Sequence, residues 1–235
     1  MRILAIDSSG LPASAAVTED GKVTADFTIN CGMTHSQTLL PMIDAIFRMA
    51  GIDKESLDAV TVAKGPGSFT GLRIGSATAK GIGLALELPV IEVSTLEALA
   101  YQMYGFDGEI CPMMDARRDQ VYTGIYRFRG ESLACVYEDR AEAVSELIGH
   151  INAACERVIF LGDGVPVYKE MLKDIRVPYI FAKPFQSFQR AAALGILAEE
   201  YYKKGLFVNA DDHAPVYLRM SQAERERKAR LEGKS

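Results

Sequence analysis

An apolar run, Ile3-Leu4-Ala5-Ile6, ends in Asp7-Ser8-Ser9-Gly10, and a second, Ile110 to Met114, ends in Asp115. A carboxylate at a strand end can hold a metal ion or orient a hydroxyl. Two glycine turns lie downstream, Gly65-Pro66-Gly67-Ser68-Phe69-Thr70-Gly71 and Gly162-Asp163-Gly164, each between an apolar stretch and a helical pattern. Glycine lets backbone N–H groups approach a phosphate at a helix N-terminus. Asp7, Ser8, Gly65, Gly67, Asp115, Gly162 and Gly164 are therefore candidates for a vestigial nucleotide cleft. The plainer alternative, that the acids end strands and the glycines make turns, stays open at this level. The first turn is not a Walker A loop, because Leu72 stands where a lysine would follow the last glycine. Ser68 and Thr70 read as helix caps.

Other chemistry is thinly represented. The 3 histidines are His35, His150 and His213, and no two are spaced for a helical pair of metal ligands. His35 has no acid or nucleophile in register and reads as structural. Arg117-Arg118 beside Asp115 reads as a solvated pair of charges that could meet an anion. The 4 cysteines, Cys31, Cys111, Cys135 and Cys155, form no CxxC and are expected as reduced, small apolar residues. No secretory core opens the chain, and no run approaches the ~18 apolar residues of a membrane span. A soluble, cytoplasmic protein without metal or membrane is expected.

The elements that must carry these residues come in two laps. The first has Ile3–Ile6, then Ala13–Thr18 and Val23–Ile29 around an Asp20-Gly21 hairpin signal. A helix follows, capped near Thr34–Ser36 and carrying Leu39, Leu40, Ile43, Ile46 and Phe47 on one face to Gly51. Ala59–Ala63, a helix to about Leu86, Pro89–Val93 and a helix capped by Ser94 with Glu97 complete it. The second lap repeats the order: Ile110–Met114, Gln120–Phe128, Ser132–Tyr137, a helix over Ala141–Ala153, and Arg157–Leu161. A helix to about Lys173, Tyr179–Phe181 and a long helix over Ser187–Lys204 close it. Three strands, helix, strand, helix, strand, helix, twice, predicts a duplicated α/β fold. The lobes are placed at 1–105 and 106–210, with a tail at 211–235.

The chain has 235 residues, 49% of them hydrophobic and 24% charged, which excludes disordered and fibrous classes. A net charge of -5 argues against unaided nucleic-acid binding. The basic excess sits in the tail, where Arg225, Arg227, Lys228 and Arg230 lie in a segment, Ser221–Leu231, that reads as an exposed, frayed helix. The second helix holds Gly71, Gly75, Ala79 and Gly83 at successive i+4 positions, with Gly81 nearby. Interior helix glycines cost roughly 1 kcal/mol each relative to alanine, so something must offset them. Close approach of another chain is one answer, and packing on this chain's own sheet or first helix is the other. The intermolecular answer makes Gly75→Leu a probe of that face.

Several blocks resemble the bacterial TsaB (YeaZ) family. They are Ile3-Leu4-Ala5-Ile6-Asp7-Ser8-Ser9, Thr34-His35-Ser36 with Leu39-Leu40-Pro41, and Gly65-Pro66-Gly67-Ser68-Phe69-Thr70-Gly71-Leu72-Arg73-Ile74-Gly75. Ser94 to Ala100, Asp115-Ala116-Arg117 and Pro215-Val216-Tyr217-Leu218-Arg219 fit the same family, so the likeness spans essentially the whole chain. The resemblance implies an actin-like fold of the sugar kinase, Hsp70 and ribonuclease H-like kind, in two lobes. It also implies a non-catalytic platform for TsaD, with the ATPase TsaE, in forming threonylcarbamoyladenosine on tRNA. ATP and metal would then belong to the partners, tRNA would be reached through the complex, and the isolated chain could pair with itself. The implied TsaD interface, on the first two helices, maps to His35, Leu39, Leu40, Ile43, Phe47, Gly71, Gly75, Thr78, Ala79 and Ile82. The competing enzyme reading is a small-molecule phosphotransferase or ATPase of the same fold, built around Asp7. A metallopeptidase is disfavoured, since three scattered histidines supply no metal cluster.

Overall fold

The computed structural model describes residues 1–219. The expected helix over Ser221–Leu231, and with it the basic tail beyond Arg219, lies outside the described residues.

The first sheet holds β1 (Arg2–Asp7), β2 (Ala13–Glu19), β3 (Lys22–Ile29), β4 (Ala59–Gly65) and β5 (Val90–Ser94). The second holds β6 (Glu109–Asp115), β7 (Gln120–Arg129), β8 (Ser132–Ala143), β9 (Val158–Leu161) and β10 (Tyr179–Phe181). Their strand orders, β3-β2-β1-β4-β5 and β8-β7-β6-β9-β10, are the same permutation. In each, the hairpin strands pair antiparallel and the last two add in parallel. The duplication expected from the order of elements is thus present down to strand pairing. The β2–β3 turn takes the left-handed conformation at both Asp20 (φ 48°) and Gly21 (φ 78°), matching the twist of the strands it joins.

Among the described residues, six α-helices fill the layers: α1 (His35–Ala50), α2 (Phe69–Ala85), α3 (Thr95–Tyr101), α4 (Val144–Ala154), α5 (Gly164–Tyr168) and α6 (Ala191–Lys203). Strand alternation divides the first sheet cleanly. Leu4 and Ile6 face Leu39, Ile43 and Ile46 of α1 and Ala79 of α2. Ile3 and Ala5 face the opposite way, onto Leu194, Leu197 and Ala198 of α6. On the second sheet, Cys111 and Met113 pack with Val144, Leu147 and Ile151 of α4, while Ile110 and Met114 pack with Leu96, Leu99 and Ala100 of α3.

This packing corrects the assignment of whole laps to separate lobes. α3, from the first lap, lies between the sheets, with Leu96, Leu99 and Ala100 on the second and Ala98 and Tyr101 on the first, and α6, from the second lap, covers the first. The two helices touch and form the layer between the sheets. The boundaries at 105 and 210 therefore separate stretches of sequence but not independent cores.

Several element boundaries move for tertiary reasons. β8 runs on to Ala143, paired with β7 throughout, and α4 starts at Val144 instead of 141. The helix after Gly164 stops at Tyr168 and continues as a separate 3₁₀ turn over Met171–Asp174. The last helix starts at Ala191, not Ser187, because Ser14 of β2 accepts its first N–H at 2.9 Å. Thr34 occupies the N-cap of α1 but makes no capping bond with its side chain. Ser94 does cap α3, accepting from Leu96 and Glu97 N–H, whereas Glu97 gives its carboxylate to the Tyr201 hydroxyl instead of closing a box.

Candidate functional site

Asp7 ends β1 inside the protein. Its Oδ1 accepts from the Ser9 N–H at 2.9 Å and the Ser9 hydroxyl at 2.6 Å, and its Oδ2 has no partner among the described residues. Burial raises its carboxyl above the usual carboxylate range, with the Ser9 bonds and nearby His35 acting in the other direction. Ser8 points the other way, donating to the Gly71 carbonyl at 2.8 Å. His35 Nε2 lies 3.0 Å from the Gly10 carbonyl, and the buried Gln189 amide fills the space beside Gly10. His35 thus holds the turn after β1, in agreement with its structural reading.

The glycine turns are occupied by this chain's own backbone. A Cβ on Gly67 would stand 2.3 Å from the Ser9 carbonyl, and one on Gly71 2.0 Å from that of Ser8. Ser68 N–H already donates to Ser9 at 2.7 Å. In the second lobe, Gly162 and Gly164 lie in the same way against the Met113 carbonyl, at 2.2 and 3.0 Å. Gly65 is covered by the Val216 carbonyl. Gly67 and Gly71 in the first lobe, and Gly162 and Gly164 in the second, thus have a packing reason to be glycine, since each turn crosses the end of its lobe's first strand.

Between the lobes lies a cleft of about 620 Å³. Ser9, Gly10, Gly67, Ser68 and Thr70 line one wall, and Asp115, Arg117 and Asp163 the other. Of the nucleotide-cleft candidates, Gly67 and Asp115 reach it, and Asp7 and Ser8 do not. Asp115 accepts from Arg117 N–H at 2.7 Å and the Tyr168 hydroxyl at 2.8 Å, and its own N–H donates to Asp163 at 3.0 Å. Burial raises the Asp163 carboxyl. Among the described residues, no group of three or more His, Cys, Asp or Glu side chains is placed to hold a metal ion. Val216, Tyr217, Leu218 and Arg219 supply a third wall that spacing did not reveal.

The raised Asp7 carboxyl sets a pH dependence with a definite sign. A folded-state value above the unfolded one, about 4, means that ionisation opposes folding, at a cost that builds as pH rises from the unfolded value to the folded one and is complete above it. Replacing Asp7 by Asn removes that opposition while keeping an oxygen for Ser9. The stability of Asp7→Asn relative to the unsubstituted chain is therefore expected to increase from about pH 4 to pH 8. Urea midpoints at the two pH values check this, and a difference that shrinks with pH would refute it.

The helix pair α1/α2 presents a second feature, and it corrects the interface residues expected there. Leu39 and Ala79 are wholly inside the core. Gly71 and Gly75 face Ser8, a Cβ on Gly75 standing 2.5 Å from its Oγ, and Gly83 faces Ala210. The i+4 row therefore offsets its helix cost within this chain. Ile43 is largely buried, but its edge joins Leu40, Phe47 and Ile82 along an apolar groove between the helices, about 410 Å³ in volume. Gly81 and Ala85 form its α2 side, and Asp44 and Lys54 stand at its rim. Leu40 is 58% exposed, and none of the described residues comes within 4 Å of a Cβ placed on Gly81. Thr78 is half-buried and bonds back to the Ile74 carbonyl. Gly81 was the readable signal for this groove, the glycine that breaks the i+4 row.

Residues 30–227 match the family model described as TsaD, tRNA N6-adenosine threonylcarbamoyltransferase. The chain is 34% identical over 227 residues to the tRNA threonylcarbamoyladenosine biosynthesis protein TsaB of Bacillus subtilis, covering 95% of this chain and 96% of that one. Among solved structures it is similar to YeaZ from Pseudomonas aeruginosa, with a TM-score of 0.76, 29% identity, and 92% and 99% of the two chains covered. The (R)-2-hydroxyglutaryl-CoA dehydratase component A of Acidaminococcus fermentans matches at a TM-score of 0.52 and 11% identity, over 87% and 98% of the chains, a likeness of fold alone. The two-lobed architecture is that of actin-like ATPases and sugar kinases.

Proposed function

The chain belongs to the TsaB family, and from that premise we propose that it serves tRNA threonylcarbamoyladenosine formation as a non-catalytic platform for TsaD. It takes part in that biosynthesis as its relatives do. The α1/α2 groove is the docking face, TsaE joins the assembly, and tRNA is met through the complex. ATP and metal are supplied by those partners, and the site of action is the cytoplasm.

The observation that carries this reading is the groove itself. Leu40, Phe47 and Ile82 line an apolar channel that no described part of this chain covers, with Gly81 leaving room for a close neighbour. The cleft offers less to an enzyme reading, because the glycine turns that would cradle phosphate are packed on Ser8, Ser9 and Met113.

Mixing with purified TsaD, read by mass in solution, tests the proposal. Gly81→Arg and Leu40→Asp place charge in the groove without entering the core, and each is expected to weaken the complex at least tenfold, about 1.4 kcal/mol. Gly75→Leu is unsuitable, because it would strike Ser8 and disturb the fold. Absence of a complex with the unsubstituted chain under every nucleotide condition would overturn the platform role. Steady-state ATP hydrolysis by the pure chain would favour a phosphotransferase or ATPase instead.

A further inference from the structure

After α6 the chain runs as a strap over the first lobe toward the cleft. Val208 exchanges both backbone hydrogen bonds with Val90 at the edge of the first sheet, each 2.9 Å. Ala210 rests on Gly83, and Lys80 Nζ donates to the carbonyls of Asp211 and His213. Val216 N–H donates to the Lys64 carbonyl at 2.7 Å. Tyr217 then packs at a tilt on Phe69, with ring centroids 4.7 Å apart and the Arg73 guanidinium 4.0 Å from the Phe69 ring. Finally the Arg219 guanidinium reaches across to donate to the Ala116 carbonyl, in the second lobe's turn.

His213 is the buried centre of this strap. Its Nδ1 lies 2.6 Å from Glu92 Oε1 on β5, and its Nε2 is hydrogen-bonded to the Ser76 hydroxyl on α2. Serine, imidazole and carboxylate in this order form the constellation of a hydrolytic nucleophile. Here it is closed: Ser76 is 6% exposed and lines neither the cleft nor the α1/α2 groove. A substrate carbonyl has no route to its oxygen. What the three groups do instead is fasten a segment whose own regular structure is one 3₁₀ turn (Ala210–Asp212) and one bridge to two elements of the first lobe.

We propose that Ser76, His213 and Glu92 form a clasp that holds the strap as a wall of the interlobe cleft and, through Arg219, positions the second lobe's Asp115–Asp119 turn. Three of that turn's residues, Arg117, Arg118 and Asp119, have φ values of 62, 57 and 55°, a conformation that non-glycine residues hold only with outside support. Its described support is the Ala116–Gln120 and Gln120–Arg117 backbone hydrogen bonds, the Val144 N–H on the Asp119 carbonyl and the Asp115 carboxylate on the Arg117 N–H, with the Arg219 contact added from the strap.

Hydrogen exchange on the full chain tests the clasp. His213→Ala is expected to speed exchange at Val208 and Val216 at least tenfold, and at Ala116 and Gln120 as well, while the β1 amides stay protected. Glu92→Gln keeps an acceptor for Nδ1 and is expected to resemble the unsubstituted chain, in contrast to Glu92→Ala. Arg219→Ala cuts only the far end, and should loosen Ala116 and Gln120 while Val208 is unchanged. Should His213→Ala fail to fold, the Glu92 pair and Arg219→Ala decide the matter. Unchanged strap amides in a folded His213→Ala, equal loss across β1 and β4, or a turn indifferent to Arg219→Ala would overturn the proposal. So would labelling of Ser76 by a fluorophosphonate, since a closed clasp admits no such reagent.

Discussion

Gly71→Ala is expected to destabilise the protein by about 3 kcal/mol, whereas Gly81→Ala, in the same helix, is expected to stabilise it by about 1 kcal/mol. The two changes add the same methyl group. At Gly71 it would stand 2.0 Å from the Ser8 carbonyl, a backbone atom anchored by β1 and by the Ser8 hydroxyl bond to Gly71 itself. Relief requires moving α2 away from the turn after β1, and with it Leu72 and Gly75. At Gly81 the methyl meets nothing, so the gain in helix propensity is all that remains. Urea denaturation of both variants measures the pair. Equal effects of the same sign would mean that the close approach of α2 to Ser8 is not what makes Gly71 necessary. Gly81→Ala also separates stability from docking, since a stabilised chain that binds TsaD less well locates a close contact on the groove.

The contrast shows what a single sequence can disclose about a row of glycines. The helix cost of Gly71, Gly75, Gly81 and Gly83 is readable from composition and spacing, and so is the need for something to offset it. Which neighbour offsets it is a property of the tertiary arrangement. Three of the four face this chain's own Ser8, Val62 and Ala210, and the fourth faces outward. Likewise, the 3.6-residue period groups Leu39 with Leu40, yet the first is core and the second surface, because the buried arc of α1 ends between them.

The duplicated order of elements was legible because local signals coincide with it: the hairpin at Asp20-Gly21, the cap at Ser94, and strand ends at Asp7 and Asp115. The start of α6 was not, because its N-terminal partner, Ser14, lies 177 residues away. The clasp was missed for the same reason. Ser76, Glu92 and His213 come from three elements with no spacing rule between them, and a lone histidine near the end of a chain carries no signal of its partners. The resemblance marked Pro215 to Arg219 as characteristic without saying why. In the structure Val216 to Arg219 form a wall of the cleft and span both lobes.

A chain ending at Gly105 is expected not to fold, although it contains every strand of the first sheet. That sheet has two apolar faces. α1 and α2 would still cover Leu4, Ile6, Val60 and Val62, but the face formed by Ile3, Ala5, Ala16, Ile91 and Val93 is covered mainly by α6, from the far end of the sequence, with Ala98 and Tyr101 of α3 beside it. The same truncation would leave Leu96, Leu99 and Met103 of the α3 region without the second sheet they pack on. Apolar surface on two sides of one lobe would be returned to water, at about 25 cal/mol for each Å², against a total stability of only ~5–15 kcal/mol. Leu194→Ala in the full chain is the graded form of this test. Leu194 is fully buried against the first sheet, and its loss is expected to cost about 2–5 kcal/mol. The accompanying loss of amide protection should fall on β1, β2 and β5 before β6 and β9, even though Leu194 follows all of the second sheet in sequence. Circular dichroism of the truncated chain and exchange in Leu194→Ala together measure the exchange of helices. A stably folded 1–105 would show that each lap closes its own core after all. A Leu194→Ala that loosens the second sheet first would place α6 with the wrong partner.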